Sequence, residues 1–408
     1  MQHEPVLAKI EGLKDQMTNM LSQLIRIPAI GPENGGEGEL KKAEELTKIL
    51  HSIGFDKIER NDALDPRVPS GKRPNILAYY YGENKTETLW IVTHMDIVPA
   101  GEESLWTMTK PFEPLVKDGK LFGRGSEDNM QPLVGSIYAV KALKDLNIKP
   151  KRTIALALVS DEEHGSDYGI KHLIKQQIFH KNDLVIVPDG GNETGDFIEV
   201  AEKTILWIKI TTSGKQIHAS TPDKGLNAHR VGIEYATSLD KLLHEKYSMH
   251  DELFDPPVST FEPTRKDRNV EAVNIIPGED VTYFDFRILP NYDAEKVLAD
   301  AYALAHDKEN RTGVKIKIEK VQETIAPKPT SPDAPIAVML KETLEKTRGF
   351  KTRIGGIGGG TCAAYFRKAD IPAVVWCTVD EVAHQPNEYA KIRNLVDDAK
   401  IFALMASS

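Results

Sequence analysis

LWIVTHMDIVPAG, residues 89–101, decides the reading of the fold. The apolar LWIV has the character of a buried strand. It runs into a histidine (His94), a carboxylate two residues later (Asp96) and a Pro/Gly turn. Strand ends that feed loops are where α/β proteins place their binding and catalytic groups. A single His-x-Asp does not make a site, so the question is whether other segments end in the same way.

Two do. TIALALVSDEE (153–163) and DLVIVPDGG (183–191) are apolar runs that end in Asp161/Glu162/Glu163 and in Asp189. Around them the chain alternates strand and helix. The helical stripe Val6, Leu7, Ile10, Leu13, Met17, Leu21, Leu24 and Ile25 predicts one opening helix, stopped before Pro28. LKKAEELTKILHSIG (40–54) predicts a second, with Gly54 as its cap. Strands follow at 75–82 and 88–95, and PLVGSIYAVKALKDL (132–146) is a further helix. This order predicts an α/β fold with a mixed, mostly parallel sheet sandwiched by helices. In such a sheet the acid- and histidine-bearing ends converge on one edge.

From residue 203 the pattern changes. KTILWIKITTSG alternates apolar and polar, followed by a helix (227–247), VEAVNIIPGE (270–279) and DVTYFDFRIL (280–289) as strands, a helix (293–306) and VKIKIEKV (314–321). Strand–helix–strand–strand–helix–strand suits a ferredoxin-like α+β unit. The Pro-rich APKPTSPDAP marks its exit, and 336–408 returns to α/β character. The expected organisation is a split catalytic domain, 1–202 and 326–408, with an inserted domain at 203–325.

At 408 residues, 40% hydrophobic and 28% charged, the composition is that of a globular protein large enough for two cores. A net charge of −9 with no basic stripe argues against a nucleic-acid partner. No run approaches the ~20 apolar residues of a membrane helix, and no signal pattern opens the chain. With Cys362 and Cys377 alone, a disulfide framework is excluded. The expectation is a soluble, cytoplasmic protein with no membrane partner.

His94, Asp128, Glu163, Asp189 and His384 are residue types suited to zinc or a similar divalent ion. All lie at strand ends or in Gly/Pro-rich turns. If two ions are held, a carboxylate must bridge them, and Asp128 in its tight turn is the natural choice. Each residue also has a plainer reading. Asp128 could cap a helix, Glu162–Glu163 could be a solvated loop face, and His384 could be a turn residue.

THMDIVPAG with WTMTKPFEPLVKDGKLFGRGSEDN, then SDEEHGS, VPDGG, GKQIHAS, GGGT and AHQPNE, follow one another in the order seen in a known family. The chain resembles the di-zinc aminoacylases, acetylornithine deacetylases and succinyl-diaminopimelate desuccinylases, a family that also includes glutamate carboxypeptidases and dipeptidases. The similarity runs from about residue 20 to the C-terminus. It implies two divalent ions, zinc in the first place with cobalt or manganese as alternatives. His94 and Asp189 would hold one ion, Glu163 and His384 the other, and Asp128 would bridge. Asp96 would orient His94, Glu162 would be the general base, and the Asp128–Asn129 peptide bond would be cis. His218 would reach the oxyanion, with a surface-loop histidine as its plainer reading. Arg287 would bind a substrate carboxylate, or else pair with Asp285. Asn274 is a further substrate-contact candidate, or a turn former.

GGIGGGT (355–361) lacks the Gly-Lys-Ser/Thr of a Walker loop and contains no Gly-x-Gly-x-x-Gly, so it is no nucleotide fingerprint. Gly359, Gly360 and Thr361 are instead expected to let backbone approach a substrate. The family often has GGGTDA or GGTSD here, and Cys362 departs from that. Cys362 reads as a small buried residue, with a nucleophile as the alternative.

The resemblance implies removal of an acyl group from an N-acyl amino acid by metal-activated water, in a homodimer formed through the inserted domain. A dipeptidase or carboxypeptidase acting on a small peptide is the alternative. More distant readings are a metal-binding homologue without activity and a nicotinamide-dependent oxidoreductase, which the missing glycine fingerprint disfavours.

Overall fold

The structure, a computed structural model, describes residues 3–407. The chain forms two compact units: Met1–Val200, Thr330–Ile354 and Thr361–Ser408 make the first, and Ala201–Pro329 with Gly355–Gly360 the second. The second unit is thus slightly wider than the insertion expected at 203–325. It also takes in the glycine run, which sequence reasoning leaves in the flanking domain.

In chain order the first unit supplies β1 (Lys57–Arg60), β2 (Ile76–Tyr80), β3 (Asn84–His94), β4 (Arg152–Val159), β5 (Leu184–Asn192) and β6 (Phe197–Glu202). The second is built on β7 (Thr204–Ser213), β8 (Thr260–Lys266), β9 (Glu279–Ile288) and β10 (Lys315–Thr324). β11 (Arg353–Ile357) and β12 (Ala373–Thr378) complete an eight-stranded sheet of order β1-β2-β4-β3-β5-β12-β6-β11. The four central strands, β4, β3, β5 and β12, are parallel. β1, β2 and β6 pair antiparallel at the flanks. The central strands are buried on both faces, as parallel strands must be, which is why they read as unbroken apolar runs.

On one face lie the helices Gln131–Asp145, Pro335–Arg348 and Ile392–Ser407. On the other face Trp90, Val92, Ala157 and Val187 pack with Ile170, Leu173, Phe179 and Phe366. The opening stripe is split into His3–Gly12 and Lys14–Ile25 rather than one helix. Gly12, a poor helix former, marks the break, yet Val6, Ile10, Met17, Leu21 and Leu24 stay buried along one face.

The second unit has sheet order β8-β9-β7-β10, antiparallel throughout. With helices Ala228–Lys246 and Ala294–Thr312 packed on one face, this is the ferredoxin-like arrangement. One strand was misplaced by sequence reasoning. VEAVNIIPGE forms no long strand: it contributes Ile275–Ile276, paired with Ile217–His218, and Glu279 at the start of β9, and the second long strand is β8 instead. β8 is an edge strand whose register shifts between Pro263 and Arg265. Proline and charged residues suit an edge but hide it from a hydrophobic pattern. Among the described residues no helix is long and apolar enough to cross a membrane.

Candidate metal centre

β4, β3 and β5 are neighbours, so their C-terminal ends lie side by side. His94 is the last residue of β3, Glu162 and Glu163 follow β4 in a single helical turn, and Asp189 sits near the end of β5. Asp128 and His384 arrive on loops. These side chains form two groups, His94/Glu162/Asp189 and Asp128/Glu163/His384, each with its ligand atoms within 4.8 Å of one another.

Asp128 joins the two groups. Its Oδ1 lies 2.9 Å from His94 Nε2, and its Oδ2 lies 3.1 Å from His384 Nε2. His94 Nε2 is also 3.2 Å from Asp189 Oδ1, and His384 Nε2 is 3.1 Å from Glu163 Oε2. The Asp128–Asn129 peptide bond is cis. One carboxylate with an oxygen toward each group is the arrangement a bridging ligand requires.

The chain from residue 90 to 408 matches the family model described as Peptidase family M20/M25/M40. It is 40% identical over 405 residues to an uncharacterised metallohydrolase of Methanocaldococcus jannaschii, covering 96% of this chain and 98% of the relative. The chain belongs to peptidase family M20/M25/M40.

Within that family it is 25% identical to the succinyl-diaminopimelate desuccinylase of Nitratiruptor, over 91% of this chain and 94% of that one. Its fold is that of the aminopeptidase PepT from Bacillus cereus, with a TM-score of 0.76 and 20% identity over 97% and 98% of the two chains. Membership makes this M20 chain a metal-dependent hydrolase acting on amide C–N bonds.

The grouped side chains are crowded with carboxylates: His94 is buried, the four carboxylates are half-buried and His384 is exposed. Burial, then the neighbouring Asp189 carboxylate, raises the Glu162 pKa well above the ordinary value. Burial likewise raises Glu163 and Asp189, against the opposing pull of His384 and His94 respectively. Burial would raise Asp128 too, but the hydrogen bonds from His384 and His94 hold it below the usual carboxylate range. The six grouped side chains include four carboxylates, whose ionised charge equals that of two divalent cations. Imidazole and carboxylate donors in this mixture fit zinc, cobalt or manganese.

Asp96 sits behind this set, buried. Its two oxygens accept the backbone N–H of Glu162 and of Glu163, each at 3.1 Å. Oδ1 is also 3.5 Å from His94 Nδ1, which contacts the Asp96 carbonyl at 3.0 Å. Asp96 thus joins the turn after β4, held by its carboxylate, to the histidine at the end of β3, held by its backbone carbonyl. Sequence reasoning missed Asn129. Its amide donates to Asp189 Oδ1 at 2.9 Å and to the Pro188 carbonyl at 2.8 Å, and its oxygen accepts the His94 N–H at 3.3 Å.

The remaining predicted residues fall outside these groups. In the second unit exposed His218 contacts Ser220 Oγ at 2.8 Å, and Asn274 Nδ2 lies 3.5 Å from its Nε2. Arg287 gives its fork to Asp285 at 2.6 and 2.9 Å and a third N–H to the Gly358 carbonyl at 2.8 Å. The ion pair foreseen as its plainer reading is therefore present. A Cβ at Gly358 or Gly360 would meet nothing within 4 Å, and one at Gly359 only Ile357 at 3.7 Å, so packing within the chain does not demand glycine there. Thr361, in the first unit, accepts the Ala363 N–H at the start of a short helix. Cys362 is buried in the core with Phe366 and Ala363.

Proposed function

We propose that this chain hydrolyses the amide of a small N-acyl amino acid, with two divalent ions held by His94, Asp128, Glu163, Asp189 and His384. The observation that carries this reading is Asp128, which offers one oxygen to each of two three-residue groups. Bound there, two divalent cations supply Lewis acidity toward an amide carbonyl and make water a stronger acid.

Everything else falls to the protein. Glu162, half-buried beside the ligands with its pKa raised well above the ordinary carboxylate value, is the base. It takes a proton from the attacking water at its carboxylate and returns it to the departing amine nitrogen. Asp96 holds the tautomer and orientation of His94 while its contacts with the N–H groups of Glu162 and Glu163 aim both side chains. His218, Asn274, Arg287 and the turn Gly359–Thr361 are proposed to contact the substrate, on the family resemblance alone. For Arg287 this requires sharing its guanidinium with Asp285.

The acyl-amino-acid class follows the desuccinylase relatives. A dipeptide substrate is the second reading, favoured by the dipeptidase-like HMDIVPAG and GGGT segments. The two are separated by a panel of N-acetylornithine, N-succinyl-diaminopimelate and dipeptides, with the protein loaded with zinc, cobalt or manganese. Turnover of acylated amino acids over dipeptides supports the first reading; the reverse order replaces it with the second. A homodimer through the second unit is part of the proposal, and sedimentation tests it: a monomer at working concentration removes it.

A further inference from the structure

Two carboxylates next to the metal centre belong to neither ligand group, and each is used up on the other's loop. Glu127, directly before Asp128, is buried. Its Oε1 accepts the N–H of Asp380 at 2.6 Å, and its Oε2 accepts those of Val382 at 2.7 Å and Ala383 at 3.0 Å. These amides lead directly into His384. Glu388, four residues beyond His384, is also buried. Its Oε1 accepts the N–H of Glu127 at 3.0 Å and of Asp128 at 3.2 Å, and its Oε2 accepts that of Gly125 at 3.0 Å.

Each loop therefore donates three backbone N–H groups to a carboxylate from the other. Arg124 adds a third tie, donating to Glu388 Oε2 at 2.6 Å and to the His384 carbonyl at 3.2 Å. A carboxylate filled with backbone donors is a strong, directional anchor.

The loop so held is one that would not keep its shape unaided. Glu381, His384 and Asn387 all have φ between 57° and 63°, in the left-handed region that non-glycine residues seldom occupy. Such conformations persist where the surroundings over-determine them, and they concentrate at functional sites. Asn387 is pinned separately: its Oδ1 accepts the Met108 N–H at 2.8 Å and its Nδ2 donates to the Leu105 carbonyl at 3.1 Å. For the segment carrying His384 the fixing groups are Glu127 and, at the His384 carbonyl, Arg124.

We propose that Glu127 and Glu388 form a reciprocal clamp that sets the spacing between Asp128 and His384, making both positioning residues for the cation held by Asp128, Glu163 and His384. The inference rests on the two-ion reading of the site. Glu127 holds only the loop of His384, so its loss falls on that one cation, because His94 and Asp189 stand on strands β3 and β5 that it does not touch. Glu388 holds the amide of Asp128, which faces both groups, so Glu388→Gln should weaken both ions.

The test is cobalt(II) titration of metal-free wild type, Glu127→Gln, Glu127→Ala and Glu388→Gln, followed by visible absorption and by metal content after dialysis. Thermal unfolding of the chelated proteins runs in parallel. Wild type should take two ions. The Glu127 variants should bind the first ion as wild type does and the second ten- to a hundredfold more weakly, the range seen when groups that orient ligands are removed. Glu127→Gln should show the smaller loss, since its amide oxygen keeps one oxygen's acceptor function. Both ions bound with wild-type affinity by Glu127→Ala would overturn the clamp alone. Equal weakening of both ions in the Glu127 variants, with chelated protein melting well below wild type, would also overturn it, by showing a general structural role. Fewer than two ions in wild type would overturn the reading of the site itself, and the clamp with it.

Discussion

Loading the metal-free protein with zinc at about pH 7.5 should release about two protons per chain, one from each ligating histidine. Burial works against a charged His94, but the carboxylates of Asp189, Asp128 and Asp96 outweigh it and raise its pKa well above the ordinary value. His384 is pushed up to about 10, first by its hydrogen bond to Asp128 and then by that to Glu163. Both imidazoles are therefore held toward the doubly protonated, cationic form in the metal-free protein, and each must lose one of its two protons to become a ligand.

Isothermal titration in buffers of different ionisation enthalpy measures this number as the slope of apparent binding enthalpy. The sign of the pH dependence follows. Protons compete with the ions below the raised histidine pKa values, so affinity increases with pH across the neutral range and falls on acidification. His384→Ala should lower the count by about one. A slope near zero would refute the reasoning, because it would mean the histidines are already neutral or do not bind the ions.

Other substitutions probe separate parts of the account. Glu162→Gln should lower kcat by about 10²–10⁴-fold, the usual contribution of general acid–base catalysis, while elemental analysis still finds two ions; near-normal turnover would remove Glu162 as the base. Asp128→Ala should lose metal, and with it the rise in melting temperature that zinc gives wild type. That rise corresponds to about 4 kcal/mol when free metal is a thousandfold above Kd, and scanning calorimetry with and without chelator reads it. Arg287→Lys keeps the charge but loses the planar fork. It should raise KM for substrates bearing a free carboxylate more than it lowers kcat, and an unchanged KM would leave Arg287 as the partner of Asp285 only.

That these side chains would gather was legible because ion binding demands few residue types, and the parallel sheet exposes those types at the ends of apolar runs. His94 after LWIV, Glu163 after LALV and Asp189 after VIV each combine a residue suited to cations with a place where the sheet edge gathers them. The groups that hold them were not legible. Glu127, Glu388 and Asn129 act on backbone N–H and C=O groups, which every residue has, so no pattern of side chains announces the partner. Glu388 lies 260 residues from the Asp128 amide it accepts. Strand β8 was missed for a different reason: an edge strand need bury only one residue in several, and Phe261 is the only fully buried one in β8. Arg287 shows the converse, a residue whose ion-pair alternative was visible two positions away in Asp285.

Anomalous diffraction at the zinc edge, from crystals of the zinc-loaded protein, tests the central claim most directly. Two peaks a few ångströms apart are expected, one against His94 and Asp189, the other against Glu163 and His384, with Asp128 touching both. A single peak, or peaks away from these five side chains, would contradict that claim.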